Sequence, residues 1–232
     1  EAEKAYRQAI KIDPEYAYAW HCLGNLLKDH MSRYEEAEQA YRQAIKINPE
    51  YAYGWNRLGK LLKEYPDRYE EAEKVFKKSI KIDPEYAYPY VYLAELYAKQ
   101  DKNEEALRCI KKGIVLEPNY LFPQNLFRKI CQGKTAPWID ILPHILAYSF
   151  SHPEEEVVFQ FALEGLILVA GSGNMDLIRS WFDKYKEKGS FEIFLLALNA
   201  GENEQLLQTL SPERRELLVD VIEKIKETES GA

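Results

Sequence analysis

Reactive side chains are sparse in this chain, and their spacing assembles no reaction. His144 and His152 stand eight residues apart with no carboxylate at metal-ligand spacing. HPEEE at 152–156 reads as a helix start, with Glu154, Glu155 and Glu156 in a first turn where the helix dipole favours acids. AGSGN at 170–174 lacks the lysine and the spacing of a phosphate loop and reads as a turn. Cys22, Cys109 and Cys131 are odd in number and show no CxxC spacing. That is the pattern of reduced thiols in a cytosolic protein, with Cys22 and Cys109 inside helices. No nucleophile acquires a base. The expectation is a chain that is not an enzyme and holds no metal and no cofactor.

The tyrosines are the residues whose spacing carries information. PEYAYAW at 14–20 returns as PEYAYGW at 49–55 and as PEYAYPY at 84–90. The surrounding residues repeat as well, EAEKAYRQAIKI at 1–12 becoming EAEQAYRQAIKI and then EAEKVFKKSIKI. Pro14, Pro49, Pro84 and Pro118 mark steps of 35, 35 and 34 residues. A fixed period in that range is the signature of a stacked repeat. Phenol rings offer contact area at low entropy cost and keep a hydroxyl for hydrogen bonding, which is interface chemistry.

The elements that must position these rings are helices. Trp20, Leu23, Leu26 and Leu27 fall on one helical stripe, and Ala37, Ala40, Tyr41, Ala44 and Ile45 form another. Gly24 interrupts the first stripe at a cost of about 1 kcal/mol of helix propensity, as expected where a neighbouring helix passes too close for a side chain. Asn48-Pro49 stops the second helix, because proline restricts its predecessor and donates no hydrogen bond. Each unit is a helical hairpin that cannot bury its own apolar face, so the hairpins must stack.

Trp20, Leu23, Gly24, Tyr34, Ala37, Tyr41, Ala44 and Pro49 fall in the order W-x2-L-G…Y…A-x3-F/Y…A…P. The next unit has Trp55, Leu58, Gly59, Tyr69, Ala72, Phe76, Ser79 and Pro84, and a weaker copy has Tyr90, Leu93, Ala94, Ala106, Ile110, Gly113 and Pro118. This pattern resembles the tetratricopeptide repeat (TPR) family over residues 1–118, as a partial first repeat and three full ones. The first two full units are one residue longer than the family's usual unit, and the extra residue falls in the inter-helix turn. The resemblance implies an all-α, right-handed solenoid of helical hairpins that binds a protein or peptide partner on its concave face. The family's contact positions then correspond to Tyr18, His21 and Asn25, to Tyr53, Asn56 and Lys60, and to Tyr88, Val91 and Glu95. Tyr16, Tyr51 and Tyr86 are expected to pack between neighbouring repeats. The positions that grip a C-terminal carboxylate in the family's co-chaperones read His21, Asn25, Arg57, Tyr88 and Tyr92, which keeps Asn25 alone and argues against chaperone-tail binding.

After Pro118 the pattern decays. NYLFPQNLFRKICQGK reads as a last helix ended by Gly133, followed by helices near 138–148, 154–170, 174–188, 190–200, 203–209 and 212–227, the last with Ser211 as N-cap and Pro212 at its first position. This gives a repeat array at 1–134 and an acidic α-helical domain at 135–232, either a cap or degenerate repeats. Charge divides likewise: 23 Lys+Arg face 21 Asp+Glu in the first part, and 8 face 17 in the second. Neither part has the basic balance of a nucleic-acid binder, which, with the extra residue lying in a turn, counts against the alternative of an RNA-binding pentatricopeptide repeat. The most apolar run, 157–171, is too short to span a membrane. Glu1 aligns with Glu36, so the chain is expected to be a fragment opening at the second helix of a repeat. The functional expectation is a cytoplasmic protein-interaction scaffold of unspecified oligomeric state. The alternative is the regulatory or sensor end of a larger multidomain prokaryotic signalling enzyme whose effector domain lies upstream.

Overall fold

A computed structural model describes residues 1–131, 134–152 and 156–172, together with Asn174, Leu177, Ser180 and Trp181. The described residues form ten α-helices and one 3-10 turn, with no strand. They are α1 (Ala2–Ile12), α2 (Ala17–Met31), α3 (Tyr34–Ile47), α4 (Ala52–Leu62), α5 (Tyr69–Ile82), α6 (Ala87–Lys99), α7 (Asn103–Leu116), α8 (Leu121–Cys131), α9 (Ala136–Ser151) and α10 (Glu156–Gly171). The chain divides into two compact units, Glu1–Leu116 and a second beginning at Glu117.

In the first unit the helices pair as hairpins, α2 with α3, α4 with α5 and α6 with α7, and each hairpin packs on the helix that precedes it. The connection between hairpins is the same device three times. Asp13, Asn48 and Asp83 each accept the backbone N–H two residues on, at 3.0, 3.1 and 3.1 Å. Their own carbonyls accept the N–H of Tyr16, Tyr51 and Tyr86. An Asx turn thus closes over a proline that presets the bend. The residue six places after each proline then fastens the next helix back onto it. Trp20 Nε1 donates to Pro14 O at 3.0 Å, Trp55 Nε1 to Pro49 O at 2.8 Å and the Tyr90 hydroxyl to Pro84 O at 3.2 Å.

The extra residue of the long units is taken up between the two helices of a hairpin. Ser32 closes α2 in the left-handed region (φ 52°), and Arg33 N–H reaches back to Leu27 O. The second unit instead inserts the 3-10 turn Pro66–Arg68. The 34-residue unit closes at Asp101 (φ 57°).

Close approach explains the glycines. A Cβ on Gly24 would lie 2.6 Å from Tyr41 Cε1, and one on Gly59 would lie 2.6 Å from Phe76 Cε1. Tyr41 and Phe76 are fully buried. At the corresponding positions of the third hairpin stand Ala94, larger than the glycines, and Ile110, smaller than the rings, and both are fully buried.

The second unit is built on α8, α9 and α10. Phe127, Trp138 and Phe161 form its aromatic centre, with ring centroids 4.7–6.0 Å apart. Gly165 makes room for Trp138, whose Cε3 would be 2.4 Å from an added Cβ. Gln124 donates to Pro118 O, the role taken by Trp20 and Trp55 after earlier prolines. Of AGSGN, the first two residues end α10 and Ser172 turns after it, its Oγ and N–H both donating to Val169 O. The expected helices at 174–188, 190–200, 203–209 and 212–227, and the cap at Ser211 and Pro212, lie outside the described residues except for the four named above.

The candidate binding face

The first helices of the three hairpins, α2, α4 and α6, present the tyrosines. Tyr18 and Tyr53 open their helices and are 54% and 50% exposed. Tyr88, the third of the set, is half-buried. The rings do not stand alone. From Tyr16 a continuous ribbon runs to Tyr18 (6.1 Å between centroids), His21 (6.0 Å), Tyr51 (5.4 Å), Tyr53 (6.2 Å), Tyr86 (4.4 Å), Tyr88 (5.6 Å) and Tyr92 (6.4 Å). These separations fall in the range where aromatic pairs attract beyond simple burial. Tyr51 and Tyr86 are the links that make the ribbon continuous, because each joins its own hairpin to the one before.

Those links are fastened underneath by hydrogen bonds spanning 30 residues. The Tyr51 hydroxyl meets His21 Nδ1 at 2.7 Å, and Asn56 Nδ2 donates to the Tyr86 hydroxyl at 3.0 Å. In the first hairpin the network continues. Asn25 Nδ2 bonds His21 Nε2 at 3.1 Å, and the Tyr41 hydroxyl donates to Asn25 Oδ1 at 2.9 Å. With the Asn25 amide donating to Nε2, the neutral ring carries its proton on Nδ1 and donates it to Tyr51. Burial, and then the Arg57 guanidinium, lower the His21 pKa from 6.5 to about 4. Burial likewise pushes the Tyr51 phenol up to about 12.

This geometry buries one row of the expected contact residues. His21 and Asn56 are 7% and 2% exposed, and Val91 is fully buried. Val91 Cγ2 fills the space over Gly113, 2.7 Å from where a Cβ would stand. The physical reason is the Asx-proline turn, which swings the first tyrosine of the next repeat over His21 and Asn56. The row is the floor of the face. Of the remaining expected residues, Asn25 is committed to His21 and Tyr41. Lys60 Nζ stands 5.3 Å over the Tyr92 ring, and Glu95 pairs with Lys63 at 2.9 Å.

On the second helices a further repeated feature appears. Arg33, at the N-cap of α3, bonds Glu3 of α1 and Glu36 of α3, while Arg7 reaches the same two carboxylates. One step on, Arg68 bonds Glu38 and Glu71, and Arg42 bonds the same pair. In the third step the arginines are Lys77 and Lys102. Lys77 keeps Glu73 at 2.6 Å, whereas Lys102 turns to Gln100 and the Tyr97 ring. An ammonium has no fork with which to bridge two carboxylates side by side, so the ring opens. The signal was visible as Glu3/Glu38, Arg7/Arg42, Arg33/Arg68 and Glu36/Glu71 at one period.

Hairpin pairing, close glycine contacts and a 35-residue step match what sequence comparison finds. The family described as "TPR repeat" matches residues 31–64, and two families described as "Tetratricopeptide repeat" match residues 5–39 and 66–120. Residues 5–120 are tetratricopeptide repeats. Solved structures of MamA are similar in shape. One covers 70% of this chain and 85% of its own at 18% identity and a TM-score of 0.52, and another covers 70% and 80% at 19% identity and 0.51. At that identity the likeness is one of fold. None of the curated proteins compared with the chain matches it by sequence. Among the described residues no helix is long and apolar enough to cross a membrane. The TPR helices also hold Cys22 and Cys109 as free thiols, and burial raises the Cys109 pKa to about 11.

Proposed function

We propose that the TPR array is a cytoplasmic protein-interaction scaffold whose concave face, made by α2, α4 and α6, binds a partner peptide or protein and has no catalytic role. The observation that supports this most is the pairing of exposed Tyr18 and Tyr53 with a buried framework that fixes them. Rings held in place lose little entropy when a partner covers them, which is how aromatic hot spots act. We read residues 135–232 as an acidic helical domain that accompanies the array.

The test is a matched pair of substitutions in partner capture. Tyr53→Ala removes a half-exposed ring that touches Tyr51 and Tyr86. It should cost about 1 kcal/mol of stability through lost ring contacts, and it should weaken partner binding by more than about 1 kcal/mol. Tyr51→Ala leaves buried His21 without its hydroxyl partner and should lower stability by about 1–3 kcal/mol. At temperatures where that variant is folded, its affinity should stay near the parent's. Equal affinity in the parent and Tyr53→Ala would move the binding surface away from α2, α4 and α6.

A further inference from the structure

The face of α2, α4 and α6 carries charge as well as rings, and its charges do not cancel. Lys28 pairs with Asp29 at 2.8 Å. Lys63, 4% exposed, is held between Glu64 at 2.7 Å and Glu95 at 2.9 Å, and Lys99 reaches the same two carboxylates at 3.6 Å. Each carboxylate is already taken. Arg57 and Lys60 have no carboxylate within ion-pair distance among the described residues. Arg57 Nε is buried without a partner. Lys60 lies one turn further along α4, so the two cations share a helix face. Burial, followed by the charges of Lys28 and Arg57, lowers the Lys60 pKa, and Asp29 is the carboxylate that acts against them.

These cations lie beside the ribbon. Tyr53 precedes Arg57 by four residues on α4, and Lys60 sits over Tyr92, whose ring is 6.4 Å from Tyr88. A part-buried cation without a carboxylate in ion-pair contact is costly to desolvate, and an incoming anion reduces that cost. Asn25 and Asn56 aim their amides at His21 and Tyr86. They therefore do not converge with Arg57 on a point such as a chain-terminal carboxylate. The cations are strung along the helix instead.

Taking this face as the peptide-binding surface, we propose that its occupant is an extended acidic segment whose internal Asp or Glu side chains pair with Arg57 and Lys60 while an aromatic or proline side chain lies against Tyr53 and Tyr88. The guanidinium receives one carboxylate through its fork and the ammonium receives the next as a point charge. The tyrosines supply an apolar wall without demanding one sequence.

The experiment uses the full chain and three fluorescent 12-residue peptides. The first alternates Glu and Pro around one Trp, with both ends blocked. The second has Gln in place of Glu, and the third is the Gln peptide with a free C-terminal carboxylate. Anisotropy titrations should show the Glu peptide binding at least 10-fold more tightly than either Gln peptide, with the gap narrowing as salt rises. Lys60→Gln should weaken the Glu peptide at least 5-fold, and Lys99→Gln, which removes a charge already paired with Glu64 and Glu95, should change it less than 2-fold. Arg57→Gln should act like Lys60→Gln; because Arg57 is part-buried, its melting curve is recorded beside the titration, and Lys60→Gln decides the matter if Arg57→Gln is unfolded. Equal binding of Glu and Gln peptides, preference for the free terminus, equal effects at Lys60 and Lys99, or no binding of the Glu peptide would each overturn the proposal. Tyr53→Ala separates the two readings. If both blocked peptides bind equally and both are weakened by Tyr53→Ala, the face binds peptides that need not be acidic. Binding indifferent to Tyr53→Ala would remove the face itself.

Discussion

At the scale of single residues, His21 sets the tension in this structure. It is a titratable group placed under a tyrosine, with both ring nitrogens already bonded and its pKa lowered from 6.5 to about 4. Protonation would force Nε2 to donate toward the Asn25 amide, which is itself a donor there. The linkage follows from the direction of the shift. Above pH ~6.5 the ring is neutral in folded and unfolded chains and titration costs nothing. Between pH ~6.5 and about 4 the unfolded chain takes up a proton that the folded chain refuses, so stability falls across that window. Glu3, Glu36 and Glu38, whose pKa values are lowered by their arginines, add acid sensitivity in their own, lower range. His21→Asn keeps a polar partner for Tyr51 without the titration, like Asn56 beneath Tyr86. Thermal melts from pH 7.5 to 4.5 should therefore show a shallower loss in this variant, with the difference from the parent concentrated above pH 4.5. Parallel curves would mean that His21 takes up its proton at the same pH in the folded chain as in the unfolded one.

At the scale of elements, the hairpin is tuned by pairs of facing volumes. Gly24 faces Tyr41, Gly59 faces Phe76, and Ala94 and Ile110 stand at the corresponding positions of the third hairpin. Gly59→Ala should improve helix propensity by about 1 kcal/mol, yet its methyl would stand 2.6 Å from a fully buried ring. Overpacking of that kind costs about 1–3 kcal/mol, so the net effect should be destabilising. Adding Phe76→Ile recreates the third hairpin's solution, and the double variant should melt above either single variant. A Gly59→Ala chain that melts above the parent would show that the α4–α5 contact is loose. The glycine side of these pairs was legible in the sequence, because glycine inside an apolar stripe names a close approach, whereas the ring it meets came from the structure. So were the hairpin ends, since Asx-Pro carries its own turn chemistry. The burial of His21, Asn56 and Val91 was not legible, because the period tells which helix face a residue is on but not how far the next repeat's turn folds over it. The arginine–glutamate rings and the role of Gln124 were also missed. Their letters were present, but the rings depend on contacts across about 30 residues, and a glutamine replacing a tryptophan preserves only the donor.

At the scale of the whole array, the tyrosine links and the arginine–glutamate rings that join successive hairpins each recur once at the repeat step, so the first unit behaves as a one-dimensional stack held by nearest-neighbour interfaces. The exposed ion-pair rings add little energy one by one, but they recur with the tyrosine links and so agree with them on a single register. That agreement can be tested by removing one period. Deleting residues 36–70 joins Glu35 to Glu71 and restores the YEEAE that both α3 and α5 begin with. In the shortened chain His21 would meet Tyr86 in place of Tyr51, Arg33 would meet Glu3 and Glu71, and Gly24 would accept Phe76 where Tyr41 had been. The first two exchanges are like for like, and the third keeps the ring but loses the hydroxyl that Tyr41 donates to Asn25. Circular dichroism should show the same helix content per residue and a cooperative melt at a lower temperature, because one interface has gone. Deleting residues 36–68 instead leaves two extra residues at the join and turns the following helix by about 200°, which points its apolar stripe away from α2. That variant should lose helix content and melt broadly. If the two deletions behave alike, the repeats tolerate slippage and the period is not what holds them in step. If the 35-residue deletion unfolds the array completely, stability resides in a particular hairpin rather than in the sum of its interfaces.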